Sequence, residues 1–297
     1  MFGKNIRQKD KEGYSFILPG VIYILVILGY PLIYNVVLSL KNTNVKNFAS
    51  GTSEFVGLQN YIELFNDATF RLVFKNTIVF TIACLIVQFS IGFIFALLFS
   101  KKFKLAGPIR GLVLVGYMMP MSVTAMLGKN MFGVTEGVIN DLLLKLGIIQ
   151  TPIEWLVSSS TAMFAVIAVN CWVGIPFNML LLTSGLTGIS EDIYDSAAVD
   201  GAKPLQRFFY ITLPLMKSSI LAVLMLGFIY TFKAFDLMFI MTSGGPLNST
   251  DVLGTYAYTL SFTKYEFSKG SATALVLFVC LLVVGLFYLR LITKEDD

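Results

Sequence analysis

Apolar residues run along this chain in long blocks separated by polar interruptions. A helix needs about 20 mostly apolar residues to cross a hydrocarbon core. Six blocks are candidates: Phe16–Leu40, Thr77–Phe99, Gly111–Leu127, Ala162–Leu182, Ser219–Met241 and Ala272–Tyr288. Lys129 limits the third, while Asn170, Pro176 and Asn178 interrupt the fourth. Pro176 cannot donate a backbone bond to Trp172, and its ring clashes with that carbonyl, so a bend or opening is expected there. The longest polar interruption, around Asp195–Pro214, reads as helix, turn, helix. Ser190 caps a helix that carries Glu191 and Asp192 in its first turn, where acidic groups meet the positive end of the dipole. Gly201 breaks that helix, and Pro204 opens a second short one ending near Leu213 and Pro214. Ile193, Ala197 and Gly201 recur at i, i+4, i+8, a nearly bare face against which a partner's backbone fits closely.

These residues resemble the EAA loop of the inner-membrane subunits of binding-protein-dependent ABC importers, whose pattern is E-A-A-x3-G-x9-I-x-L-P. Here Asp195, Ser196 and Ala197 are followed after three residues by Gly201 and after nine more by Ile211, Thr212, Leu213 and Pro214. Ala198, Asp200 and Ala202 complete the neighbourhood of the glycine. Asp195 stands for Glu and Ser196 for Ala, both mild changes. The resemblance assigns Asp195, Ser196, Ala197, Ala198, Asp200, Gly201, Ala202, Ile211, Leu213 and Pro214 to coupling with an ATPase.

Composition changes the class, not the pattern. With 56% hydrophobic and 13% charged residues among 297, the chain is too apolar for a soluble domain and reads as a polytopic, all-α membrane protein. Cations set its orientation, because loops kept on the cytoplasmic side retain an excess of Lys and Arg. Lys4, Arg7, Lys9 and Lys11 precede the first span, and Lys101, Lys102, Lys104 and Arg110 crowd the link between the second and third. Six spans then leave both termini and the 190–214 loop in the cytoplasm, with Lys203, Arg207 and Lys217 in agreement. Lys41, Lys46 and Arg71 form a more dilute counter-signal in the first outer loop. The net charge of +4 reports topology rather than a nucleic-acid surface. The basic start and first apolar block are expected to be a retained signal anchor, since the block is long for a signal peptide and no clean cleavage site follows.

Cys84, Cys171 and Cys280 all fall inside predicted spans and imply neither a disulfide framework nor a metal site. The chain has no histidine, which removes His-dependent triads, and no GxxxxGK[ST] loop to bind ATP. Energy for active transport must come from another subunit.

A second resemblance lies in FDLMFIMTSGGPLNST, Phe235–Thr250, which is similar to the end of the fifth helix in carbohydrate importers of the maltose type. Gly244, Gly245 and Pro246 suit a turn that ends this helix at the outer surface. The Asn170-x-Trp172-x-Gly174 order, with Phe177 beyond it, resembles the segment lining the sugar site in those subunits. An aromatic face packs against the C–H side of a sugar ring, and Asn offers donors and acceptors to hydroxyls. Packing and interface anchoring explain Asn and Trp in a membrane helix equally well. Gly227, Tyr230 and Ala234 share a face at i, i+3, i+7 and resemble a second sugar-facing wall. Lys233 and Asp236 read as an ion pair rather than a solute contact, and Gln88 reads as packing.

The expectation is therefore an N-terminal tail over 1–15, a six-helix permease domain over 16–292 with the type I ABC importer permease fold, and a tail over 293–297. The resemblance implies import of a sugar or oligosaccharide by alternating access, with no enzyme activity in this chain. It implies a second, similar permease forming a heterodimer, two ATPase subunits that bind ATP and Mg, and an extracytoplasmic solute-binding protein, all at a bacterial-type inner membrane. A glycerophosphodiester or another polyol-like cargo uses the same machinery. An ion-driven secondary transporter calls for inverted repeats and broken helices in both halves, and a membrane enzyme for a catalytic constellation; the sequence shows neither pattern.

Overall fold

The apolar blocks fold as helices in a computed structural model that describes residues 2–101 and 103–293. Lys102 of the basic link and residues 294–297 of the expected C-terminal tail lie outside the described residues. So do the side chains of Lys4, Arg7, Lys9 and Lys11. The chain divides into two compact units, residues 1–65 with 257–276, and residues 66–256 with 277–297.

The first unit opens with α1 (Phe2–Ile24), which continues through a π turn at Leu25–Gly29 into α2 (Tyr30–Ser39). The segment expected as a tail over 1–15 is thus helical from Phe2 onward. None of the most apolar stretch of Gly13–Ser39 is buried within the chain. That is the state of a helix whose solvent is lipid or another subunit. A two-stranded antiparallel ribbon follows, β1 (Lys41–Asn42) with β2 (Glu54–Phe55), enclosing α3 (Val45–Phe48). The next helix, α4 (Gln59–Asn66), is tied back when Asn60 donates to the carbonyls of Ser39 (2.7 Å) and Lys41 (2.8 Å). At the beginning of the last helix, Ser268 Oγ accepts from the Thr43 N–H at 2.7 Å and Lys269 lies 3.2 Å from Glu63.

The second unit is organised on two long helices, α5 (Ala68–Phe99) and α9 (Ala162–Thr187). With 32 residues, α5 is about 48 Å long and exceeds the hydrocarbon thickness. It begins at Ala68 rather than Thr77, because Asp67 caps it by accepting from the Thr69 N–H at 2.9 Å. Small residues bring the two helices together: a Cβ on Gly92 would stand 2.6 Å from Asn178 Cβ, and one on Gly174 would collide with the Gln88 amide. Close backbone approach of this kind is how helices associate where lipid removes the hydrophobic drive. One buried cluster includes Phe80, Cys84, Val166, Val169, Leu237 and Met238, and a second joins Phe93, Leu182, Met216 and Val223. Cys84 and Cys171 are free and buried, and Cys280 is free and half-buried.

Two expected spans are broken. The third is a pair, α6 (Ala106–Met118) and α7 (Met121–Met131), bent by 97°. Pro120 drives the residue before it out of helical space, and Met119 is extended at ψ 136°. After α7 come α8 (Val138–Lys145) and then α9, α10 (Glu191–Val199), α11 (Pro204–Arg207), a π turn at Phe208–Thr212 and α12 (Leu213–Leu215). The fifth span starts with α13 (Lys217–Phe232), stops at Lys233–Phe235 and resumes as α14 (Asp236–Met241). The remaining helices are α15 (Leu253–Tyr258) and α16 (Phe267–Thr293). Among the described residues, four helices are long and apolar enough to span a membrane, and the number reaches six when each bent pair is one span, the second pair being Pro204–Leu215 with Lys217–Phe232 at 66°. In contrast to the expected opening at Pro176, α9 runs unbroken through it. Gly116 packs over the Trp172 carbonyl that Pro176 cannot serve, and a Cβ on Gly116 would stand 3.3 Å from that oxygen.

The turn after α14 carries Gly244 at φ 81° and a cis Gly245–Pro246 bond. Asn76 and Thr77 of α5 hold the following segment by donating to the Asn248 carbonyl (2.8 Å) and accepting from the Leu253 N–H (2.9 Å).

Candidate functional site

Helices α5, α6, α7, α9 and α13 enclose a cavity of about 310 Å³ lined by Gln88, Tyr117, Met121, Asn170, Val173, Gly174, Phe177, Gly227, Tyr230 and Thr231. Three rings form its aromatic wall. Tyr117 and Phe177 lie 5.6 Å apart between centroids, and Phe177 meets Tyr230 edge-on at 5.8 Å. Opposite in character are two buried amides, Gln88 and Asn170. Gln88 Nε2 donates to the Asn170 main-chain carbonyl at 3.3 Å. Amide, hydroxyl and aromatic groups side by side in one cavity suit a polar ligand with apolar faces. Not one lining residue carries a charge.

The geometry sorts the candidate residues. Asn170, Gly174, Phe177, Gly227 and Tyr230 line this cavity together. Trp172 does not: its indole lies against Gly116 on α6 and it is 63% exposed. Ala234 lies after the end of α13 and packs instead on the buried cluster around Leu237 and Met238. Sequence reasoning set Gln88 aside as packing and passed over Tyr117 and Thr231. Gln88 gave a signal in being an amide inside an apolar block, whereas Tyr117 reaches the cavity only through contacts that no local pattern encodes. The expected Lys233–Asp236 ion pair does not form. Because α13 ends at Phe232, the two residues are not on one helix, and Lys233 Nζ lies 5.3 Å from the Tyr230 ring centroid.

The loop between α9 and α13 forms a second candidate site. Ser190 caps α10 by accepting from the Asp192 N–H at 3.3 Å. At its other end the Gly201 N–H donates to the Ala198 carbonyl (3.1 Å) and the Ala202 N–H to the Ala197 carbonyl (2.9 Å). This is a Schellman cap, which needs a left-handed residue, and Gly201 has φ 78°. Pro204 sits at the first turn of α11, and Tyr194 and Thr212 join the two arms through their hydroxyls at 2.9 Å. Asp195, Ser196, Ala198, Asp200 and Gly201 are exposed, Ala197 and Ala202 half-buried. Ile211 and Leu213 turn partly inward, while Pro214 is exposed. Val199, Leu205 and Tyr210 are 89%, 72% and 81% exposed, an apolar surface that asks for a partner.

Both helices that flank this loop also line the cavity. α9 supplies Asn170, Gly174 and Phe177, and α13, joined to α12 at buried Met216, supplies Gly227, Tyr230 and Thr231.

Residues 88–294 match the family described as the binding-protein-dependent transport system inner membrane component. The chain belongs to that family. As such it is a helical permease subunit of an inner-membrane transport system. Among relatives of this transport family, it is 31% identical over 283 residues to the trehalose/maltose transport system permease protein MalF of Thermococcus litoralis, covering 95% of this chain and 94% of that one. Identity is 33% over 282 residues to the sulfoquinovosyl glycerol transport system permease protein SmoG of Agrobacterium fabrum, covering 94% and 89%. The fold is shared with a chain of a bacterial alginate ABC transporter solved in complex with alginate pentasaccharide-bound periplasmic protein. That superposition has a TM-score of 0.81 at 22% identity and covers 97% of this chain and 95% of that one.

Proposed function

We propose that this chain translocates a sugar or oligosaccharide as one permease of an ATP-driven importer. The observation that carries the cargo is the uncharged cavity with a wall of Tyr117, Phe177 and Tyr230 facing the amides of Gln88 and Asn170. Rings take the C–H faces of a pyranose, and amides take its hydroxyls. Relatives named for trehalose, maltose and sulfoquinovosyl glycerol support the same class. Both termini and the 190–214 loop lie in the cytoplasm in this reading, which the cation distribution supports. There the loop docks in a cleft of one of two ATPase subunits, which bind ATP and Mg. A second permease completes a heterodimer, and an extracytoplasmic solute-binding protein delivers cargo. When ATP draws the ATPases together, the docked loop moves α9 and α13, and the cavity walls on those two helices follow. The cavity thereby turns from inward-facing to outward-facing, and hydrolysis resets it.

The test is gentle purification of the tagged chain from its native membrane, with mass spectrometry of what accompanies it. An ATPase and a second permease are expected. A chain that is pure and stable alone contradicts the reading and returns the secondary transporter and the enzyme to consideration. A second reading, an acidic sugar or a glycerophosphodiester, rests on Lys233, which lies over Tyr230 and has no carboxylate partner among the described residues. For such a cargo Lys233→Met raises the KM of uptake, whereas for a neutral sugar it leaves the KM unchanged.

A further inference from the structure

A recess of about 590 Å³ lies beside the arms of the coupling loop, away from the aromatic cavity. Leu97, Leu186, Ile189 and Phe208 give it an apolar floor, and Lys101 and Arg207 bring two cations to it. Neither cation has an ion pair among the described residues. Glu191, the carboxylate in the lining, already has an interaction of its own. The Nε of Arg207 is buried and has no hydrogen-bond acceptor. The nearby hydroxyls do not answer it: Tyr194 and Thr212 bond one another, and Ser100 donates to the Leu97 carbonyl.

A buried guanidinium nitrogen with no acceptor is unfavourable, and an anionic group seated beside Arg207 would relieve it. Arginine with a lysine beside it is the pairing that holds a phosphate. We propose that this recess binds a phosphate-bearing group, and that the group is the headgroup of an anionic phospholipid of the inner leaflet. Two features favour lipid over a carboxylate of the ATPase. The recess is concave with an apolar floor that an acyl chain can follow, whereas the outward apolar side chains Val199, Leu205 and Tyr210 belong to neither its floor nor its rim. It also lies at the ends of α5 and α9, where basic pockets between spans meet headgroups. This inference rests on the cytoplasmic placement of the loop. A bound headgroup would brace the coupling loop against α5 and α9 and tie transport to lipid composition.

The experiment is native mass spectrometry of the complete importer, extracted from nanodiscs of phosphatidylglycerol or of phosphatidylcholine. The complex is expected to retain phosphatidylglycerol and to release phosphatidylcholine. Arg207→Gln and Lys101→Gln should each weaken retention about fivefold, Arg207→Lys should weaken it less, and Lys203→Gln, outside the recess, should leave it intact. Displacement of the lipid by inorganic phosphate supports the same phosphate chemistry with a soluble source. Equal retention by wild type and the Arg207→Gln, Lys101→Gln double variant overturns the proposal, as does a cross-link from position 207 to the ATPase in place of lipid. Labelling of a Val199→Cys variant from each side of the membrane reports the orientation separately, so failure of that reading is distinguishable from failure of this one.

Discussion

Gly174 and Gly201 are the same residue used for opposite reasons. At Gly174 the backbone is ordinary helix, and the absence of a side chain makes room: a Cβ there would collide with the buried Gln88 amide. At Gly201 the space is open, with nothing within 4 Å of an added Cβ, and the backbone is what demands glycine, at φ 78°. The first glycine belongs to the cavity wall and answers to this chain's own packing. The second belongs to the 190–214 loop, around which Val199, Leu205 and Tyr210 leave an exposed apolar surface. The cavity is therefore legible as internal packing, whereas the role proposed for the loop depends on a partner.

That contrast can be broken most forcefully at Gly201. Asp tolerates the left-handed region better than most residues, and a side chain at this position meets nothing within the chain. Gly201→Asp should leave the subunit inserted and folded yet abolish ATP-dependent uptake in proteoliposomes, because a new charge stands on the exposed loop surface that the proposed partner covers. Normal uptake by this variant would remove the docking role. Next in size, Gly174→Ala should destabilise the folded subunit by about 1–3 kcal/mol, the range for overpacking, measured by thermal unfolding in detergent. Gln88→Ala in the same chain should recover much of that loss, and strict additivity of the two changes would refute the contact. Tyr230→Ala removes one ring of the aromatic wall and should raise the KM for a sugar about fivefold, from roughly 1 kcal/mol of ring contact.

The smallest effect lies outside both regions. The carboxyl of Glu63 is held below its usual range first by its hydrogen bond with Lys269 and then by that with Gln59. A lowered carboxylate adds stability above its unfolded pKa and loses it as pH falls through the folded value. Glu63→Gln should therefore cost less than about 1 kcal/mol at neutral pH, as exposed pairs do. The difference from wild type should close on acidification, and one that persists in acid would show a role other than the charge.

The coupling loop was open to sequence reading because its signals are local. A capping Ser190, a helix-ending Gly201 and a helix-opening Pro204 each act within a turn of themselves, and the structure places all three in those positions. The spans were legible as apolar blocks but not as shapes. Pro120 sits inside the third block, and its effect on Met119 was missed because hydropathy does not register the steric clash of a proline ring with the residue before it. Likewise the break at Lys233–Phe235 lies inside an apolar stretch, where an i, i+3 spacing suggests an ion pair that exists only if the helix continues. Half of the cavity lining was named in advance, Asn170, Gly174 and Phe177 of α9 through their resemblance to a family segment and Gly227 and Tyr230 of α13 through a shared helical face. Gln88 and Tyr117 arrive from α5 and α6, and their meeting depends on helix packing that only Gly92, Gly116 and Gly174 hint at. Trp172 was misplaced for a related reason: a residue two positions from Asn170 lies on another face of the helix.

The central claim, that the 190–214 loop transmits the state of an ATPase to the cavity, is tested most directly by cross-linking. With Cys84, Cys171 and Cys280 replaced by serine, a cysteine at Ala197 should cross-link to the ATPase subunit in the intact importer, and the yield should change when ATP is added. A cysteine at Leu247, 86% exposed in the turn after α14, should give no such product. If the cysteine at position 197 reacts freely with soluble reagents and joins no ATPase in any nucleotide state, the loop is not a coupling element and the account fails.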